Sequence, residues 1–323
     1  MKRGMQLAAV LLAAVIPAMA QVPRAGDPYV FAYFKEPGNQ GIYVALSRDG
    51  YHYTPLNDGL PWIKPTERGE IMRDVYITRN PDGHGFRMVF TWAWRGNSIG
   101  VANSDDLMTW SPQREVKIMG DFPSAQNTWA PETYWDAKKK QWLIVWASSF
   151  KAAPGSEDKS DGLRLWGAWT GDWQSFTKPE KFFDRGYPVI DATMFHRDMR
   201  GKKDVVMVFK DQTPDPLRYN ERWVAGPTVA GPWSEASGPI NESWSEGPSV
   251  IHVKNRWIVF YDHYRPPHAR FEAVETSDWI HWRSADDAID LPEGCKHGSF
   301  FQVTEEEAQR LLSRHDAPTA ERP

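Results

Sequence analysis

The sequence predicts an all-β protein, a five-bladed β-propeller whose ring closes when N-terminal strands pair with the C-terminal strand. Three observations predict it. A unit of strand-like runs recurs five times. Four units open with a short strand led by an acidic residue, and a fifth opener, led by His297, is followed only by a tail. The first strands, at 29–54, lack an opener of their own. Giving the last opener to the first strands makes five four-stranded units and closes the ring without a covalent staple.

The chain begins outside that repeat. Lys2 and Arg3 precede "LAAVLLAAVIPAMA", which ends in a small-residue pattern. This predicts a secretory signal over 1–20, cut after Ala20, in a run too short to span a membrane comfortably. The protein is expected to be secreted or periplasmic, with no membrane attachment after cleavage. One propeller domain is expected over 21–313 and a disordered tail over 314–323. A net charge of −4 argues against a nucleic-acid partner. The single cysteine, Cys295, excludes an internal disulfide and is expected to be a buried, inert thiol. A monomer is expected.

Within each unit, an apolar strand is followed by a more mixed one and then by a Ser/Thr–Asp turn with an aromatic shortly after. The apolar strands are "YVFAYF", "FRMVFTW", "QWLIVWAS", "VVMVFK" and "RWIVFYD". The turns are "SRDGYHY", "SDDLMTW", "TGDWQSF", "TVAGPW" and "TSDWIHW". Gly, Pro and Asp punctuate the gaps as in antiparallel hairpins. The repeat accounts for part of the seventeen tryptophans. Tyr53, Trp110, Phe176, Trp233 and Trp282 hold one place in five units and suit packing between blades. A tryptophan present in only one unit is a better sugar platform. After the last opener, Thr304 and Glu307 have capping-box spacing and predict a short helix over 305–313.

The openers begin at Asp74, Glu132, Asp191, Glu246 and His297, spaced 58, 59, 55 and 51 residues apart. Opening strands line the channel of a propeller, so these side chains are expected to converge at one end of it. Four carboxylates and a histidine close together resist joint ionisation. A proton-transfer site needs such a cluster; a purely structural one does not. A carboxyl beside another anion and away from bulk water is suited to carry a proton, as a general acid must. The ends of the second strands add Trp92 and Lys210. Trp92 and Trp129 are candidate stacking platforms. Lys210 is expected to bind hydroxyls or balance the carboxylates, with Asp211 a candidate acceptor for it. Glu132 is expected to be structural or to touch substrate. Specificity is expected from loops at 151–161, 212–222 and 263–269.

The motifs "RDV" (73–75), "WAPE" (129–132), "IDATMF" (190–195), "EGPSV" (246–250) and "KHG" (296–298) resemble the blade-opening motifs of glycoside hydrolase family 43. The resemblance runs over about 29–312, in order and in register with the repeat. It implies a five-bladed propeller that hydrolyses glycosides with inversion. Position by position, it implies that Asp74 is the general base, that Asp191 orients and tunes the acid, and that Glu246 is the general acid. His297 resembles the channel histidine that in many members faces a metal ion, often calcium, directly or through water. The chemistry itself needs no cofactor. Two departures stand out. Val75 replaces the usual proline after Arg-Asp, and Glu132 replaces the usual aspartate after Trp-Ala-Pro. The expected substrates are arabinofuranosyl-, xylosyl- or related furanosyl-containing polysaccharides. The alternative is a propeller that binds carbohydrate and has lost catalysis.

Overall fold

Alternating buried residues and turn-forming tripeptides produce five antiparallel sheets in the computed structural model, which describes residues 22–66, 71–151, 162–267 and 269–316. The expected signal segment, residues 152–161 and most of the expected tail lie outside the described residues. The N-terminal strands are β1 (Tyr29–Phe34), β2 (Tyr43–Ser47) and β3 (Thr54–Pro55). Blade one holds β4 (Arg73–Arg79), β5 (Phe86–Thr91), β6 (Ile99–Ser104) and β7 (Arg114–Val116). Blade two holds β8 (Trp129–Asp136), β9 (Gln141–Ser148), β10 (Arg164–Thr170) and β11 (Glu180–Phe183). Blade three holds β12 (Val189–Met199), β13 (Lys202–Asp211) and β14 (Asn220–Gly226). Blade four holds β15 (Ser245–Val253), β16 (Arg256–His263), β17 (Arg270–Thr276) and β18 (Arg283–Ser284). The last strand, β19 (Lys296–Gln302), pairs with β1, and the order β19-β1-β2-β3 completes blade five.

The inner strands β4, β8, β12, β15 and β19 touch in sequence and return to β4, so they form the hub. Blade three departs from the expected four strands. Its outer edge is an irregular segment whose Ser234, Ser237 and Ile240 amides donate to Ala225, Trp223 and Glu221 carbonyls. Those bonds satisfy the edge of β14 without a continuous ladder.

The turn repeat has a hydrogen-bond cause. In four blades a Ser or Thr hydroxyl (Ser47, Ser104, Thr170, Thr276) accepts from amides two and three residues on. In the same turns Asp49, Asp106, Asp172 and Asp278 accept from the next pair of amides. The aromatic that follows packs against an inter-blade cluster in all five blades. The core is accordingly five clusters, one between each pair of neighbouring blades. The blade-four/blade-five cluster holds Phe300 sandwiched between Phe31 and Phe260, with ring centroids 3.8 and 4.0 Å away.

Helix α1 (Glu305–Asp316) begins with the predicted capping box. Thr304 donates its amide to Glu307 at 2.8 Å, and Glu307 returns its amide to the Thr304 hydroxyl at 3.3 Å. Arg79 of β4 grips the same Glu307 carboxylate through two bonds of 2.6 and 2.7 Å. The helix runs three residues past its expected end at 313. Among the described residues, no helix is long and apolar enough to cross a membrane.

Candidate active site

Every inner strand breaks register at the same end. The shifts fall between Arg73 and Tyr76, Trp129 and Glu132, Ile190 and Ala192, Glu246 and Ser249, and at His297 opposite Tyr33/Phe34. A bulge places an extra residue in one strand and re-aims the side chains around it. Four of these bulges carry a left-handed residue: Asp74 (φ 51°), Ala130 (φ 46°), Asp191 (φ 49°) and Gly247 (φ 64°). For the three that are not glycine this conformation costs about 1–3 kcal/mol each. At Gly247 a Cβ would collide with the His297 ring, so the glycine after Glu246 lets two hub strands approach closely.

The bulges correct the alignment of openers. Structurally equivalent residues are Asp74, Ala130, Asp191, Gly247 and His297. Glu246 stands one residue ahead of its bulge and Glu132 two residues behind its own. Glu246 therefore reaches the open end, whereas Glu132 sits a layer deeper and is 6% exposed. There it accepts from the Tyr134 hydroxyl and lies in hydrogen-bond range of Thr193. Burial pushes its carboxyl up to about 8, against the pull of Tyr134, His297 and Thr193. Of the two roles expected for Glu132, structural or substrate-contacting, its burial favours the structural one.

On the blade-one side, Asp74 is fixed by two neighbours. Thr91 accepts the Ala130 amide at 2.9 Å and donates its hydroxyl to Asp74 Oδ2 at 2.7 Å. His297 Nδ1 lies 3.4 Å from Asp74 Oδ1. Burial opposes ionisation of Asp74, but His297, Arg73 and Thr91 outweigh it and hold the carboxyl below its ordinary range. Burial likewise opposes a charge on His297, but Asp74, Asp191 and Glu132 overcome it and raise the imidazole to about 9. Val75 is buried, and the bulge keeps its shape without the proline. Arg73 turns to Glu36 at 2.5 Å and stacks on Phe34 and Trp94, rather than pairing with Asp74 at the surface.

Across the mouth, Lys210 donates to Glu246 Oε2 at 2.9 Å and to the Tyr264 hydroxyl at 3.2 Å. Lys210 is 1% exposed, while the Glu246 side chain is 34% exposed. Burial opposes the ammonium, but Glu246, Tyr264 and Asp191 raise it above its ordinary range. Asp211, the acceptor expected for Lys210, instead holds Arg218 at 3.0 Å and Arg222 at 3.1 Å. Asp191 lies between the two sides. It accepts the Gly247 amide at 3.1 Å, and burial lifts it to about 6, with Glu246 and Asp74 adding to the rise and His297 and Lys210 opposing it.

The aromatic expectations divide. Trp92 is 7% exposed, sits 5.9 Å from Phe90 in the core and offers no platform. Trp129 is partly open and donates its indole N–H to the Trp94 carbonyl at 3.0 Å. Trp94 lies 5.2 Å from it and is 52% exposed, so the open aromatic surface here is the Trp94–Trp129 pair. Sequence reasoning passed over Trp94, although it recurs in no other blade. It also passed over Thr91, Tyr264 and Glu221, which is buried beside Lys210 with neither carboxylate oxygen hydrogen-bonded. Cys295 is buried as expected, and burial pushes its thiol up to about 12. Among the described residues, no three His, Cys, Asp or Glu side chains converge on a metal-sized point. His297 turns its Nδ1 to Asp74, which leaves Nε2 as the ring nitrogen on its other side.

Comparison with known proteins agrees with this architecture. A family model described as "Probable glycosyl hydrolase domain", of the family-43-related glycosyl hydrolases, matches residues 26–309. An alpha-L-arabinofuranosidase of Bifidobacterium longum is 27% identical over 182 residues, covering 49% of this chain and 17% of that protein. Two solved structures share the fold. The exo-beta-1,3-galactanase of Phanerochaete chrysosporium with galactose has a TM-score of 0.53 and 11% identity, covering 79% of this chain and 54% of that one. The exo-beta-1,3-galactanase of Clostridium thermocellum has a TM-score of 0.51 and 14% identity, covering 69% and 50%. The chain spans about half the length of these structures and far less of the arabinofuranosidase. The match over almost all of the propeller, together with the five-bladed fold, shows that the chain belongs to the family-43-related glycosyl hydrolases.

Proposed function

We propose that the protein is an exported inverting glycosidase that removes arabinofuranosyl or related furanosyl and xylosyl units from a polysaccharide. One observation carries this reading: the channel mouth separates a carboxylate held as a pure acceptor from one left open to exchange a proton. Asp74 is the first, bound by Thr91 and His297, and Glu246 is the second. In the proposed reaction Asp74 takes a proton from a water that attacks the anomeric carbon. Glu246 gives its proton to the departing glycosidic oxygen on the opposite side. Inversion requires the two carboxyls roughly 6.5–9.5 Å apart, with room for that water. Blades one and four are not neighbours in the ring, which supports such a separation. Asp191, fixed to the Gly247 amide, orients the strand that carries Glu246.

The arabinofuranosidase relative favours an arabinofuranosyl substrate, while the names of the solved relatives put beta-1,3-galactosides among the competitors. Export rests on the pattern of residues 1–20. The deciding experiment is a screen of arabinofuranosides, xylosides, galactofuranosides and beta-1,3-galactosides, with Glu246→Gln as control and proton NMR of the first-formed product. Cleavage that yields the inverted anomer supports the proposal. A retained anomer refutes the mechanism, and binding of a glycan with no turnover favours the non-catalytic alternative. The scheme routes no step through a metal, so hydrolysis is expected to survive dialysis against EDTA. Loss restored by calcium would give the channel an ion held by His297 through water.

A further inference from the structure

The blade interior next to the site contains a carboxyl without a partner. Glu221 lies on β14 directly opposite Lys210 on β13. Residues directly opposed in an antiparallel pair project to the same face of the sheet. Glu221 is 0% exposed, and neither of its oxygens accepts or donates a hydrogen bond among the described residues. Its backbone amide is bonded to Asn241 at 2.8 Å, so the strand position is fixed while the carboxyl is not. A buried carboxyl in this condition is costly unless a counter-charge stands by.

The cation on the same face is Lys210, which makes no ion pair with Glu221 among the described residues but lies within its field. An ammonium has three N–H donors, and Lys210 uses two, on Glu246 and Tyr264. We propose that Glu221 is a positioning residue: it is the alternative counter-ion of Lys210, and it frees Glu246 to carry a proton. When Glu246 is protonated, the buried ammonium is balanced from behind by Glu221. Once Glu246 has released its proton, Lys210 stands between two anions, and their repulsion favours reprotonation of Glu246 from solvent. The charged and titratable groups facing Glu221 agree with this arrangement. Lys210 of β13 attracts it, Asp191 of β12 and Glu246 of β15 repel it, and His297 of β19 attracts it from farther around the hub. Tyr261 of β16 also lies within its field. Burial, reinforced by Asp191 and Glu246, pushes the Glu221 carboxyl up to about 8. Loss of the Glu246 charge removes one of the causes of that rise, so Glu221 ionises more readily when Glu246 is neutral.

This inference rests on the glycosidase reading for its role in catalysis but not for its charge coupling, and the test separates the two. Melting temperatures of Glu221→Gln, Glu246→Gln and the double variant are measured near pH 9, above the Glu221 value and with Lys210 still charged. Each single variant leaves Lys210 one carboxylate, whereas the double variant strands the ammonium. The double variant is expected to lose clearly more than the sum of the single losses, and additive losses overturn the coupling. Glu221→Leu with the same partner replaces Glu221→Gln if the latter does not fold. On an active substrate, Glu221→Gln is expected to lose about tenfold in kcat for a poor leaving group, with the basic limb of kcat/KM moved to lower pH. It should lose far less on a dinitrophenyl glycoside, whose departure needs no acid. Equal losses on both substrates, or an unmoved limb, overturn the catalytic role. If the wild-type protein cleaves nothing, the glycosidase reading fails and the melting cycle alone decides whether Glu221 and Glu246 share Lys210.

Discussion

The two sides of the channel mouth treat their carboxylates differently. Asp74 is 14% exposed and bonded through both oxygens, by a hydroxyl whose direction is set by the Ala130 amide and by an imidazole held charged. Glu246 is 34% exposed, bonded through one oxygen to a lysine that answers to more than one acid. In the proposed reaction the base must stay ionised and stay still, and the contacts on the blade-one side favour both. The proposed acid must lose and regain a proton each cycle, and the blade-four side leaves Glu246 access to water and a lysine partner. The same strand bulge thus serves opposite ends, because the residues around it differ.

The sharpest way to break this contrast is to neutralise each carboxylate. Asp74→Asn is expected to lower kcat about 10³-fold on every substrate, since water activation is always needed. Glu246→Gln should show a comparable loss on natural glycosides and only a small one on dinitrophenyl glycosides. Equal behaviour of the two variants in steady-state kinetics would erase the assigned roles.

A second effect concerns stability. His297 is raised in the folded protein to about 9 from an ordinary value near 6.5. Its contribution is therefore complete below about pH 6.5 and disappears as pH rises through about 9, up to about 3 kcal/mol when shared with Asp74. Urea midpoints should fall over that window, and the fall should flatten in His297→Gln. A flat wild-type curve would show that the base side is not locked by charge.

Smaller effects sharpen the comparison. Thr91→Val removes a hydrogen bond to a charged group, worth about 1.5–3 kcal/mol, so kcat should drop about tenfold or more. Tyr264→Phe, its counterpart on the acid side, should cost only a few-fold, because Lys210 keeps Glu246. The reverse ranking would mean that the acid side is the more rigid one. Least costly is Trp94→Ala, expected to raise KM by several-fold with kcat nearly intact, in keeping with an aromatic contact of about 1 kcal/mol.

Much of this was legible before any coordinates. The repeat, the ring closure by β19 and the convergence of Asp74, Asp191, Glu246 and His297 follow from five openers in register. The depth of each residue did not follow. Whether a carboxylate stands at, before or behind a bulge depends on strand pairing, and "WAPE" and "SEGP" do not display it. That is why Glu132 and Glu246 read as equivalents. Trp92 was misplaced for a related reason: it follows the end of β5 and turns inward, leaving Trp94 outside. Glu221 was hidden because it lies on a third strand, where no opener motif directs attention. Its sequence signal is an acid near the start of "NERWVAG", the outer strand of blade three.

The strand that shuts the ring also delivers His297, and Phe300 on that strand is clasped by Phe31 and Phe260. A polypeptide emerging amino end first holds Asp74, Asp191 and Glu246 long before it holds the imidazole that steadies them. A chain cut short ahead of residue 296 lacks both the strand that closes the hub and the imidazole beside Asp74, and keeps only Thr91 on that carboxylate.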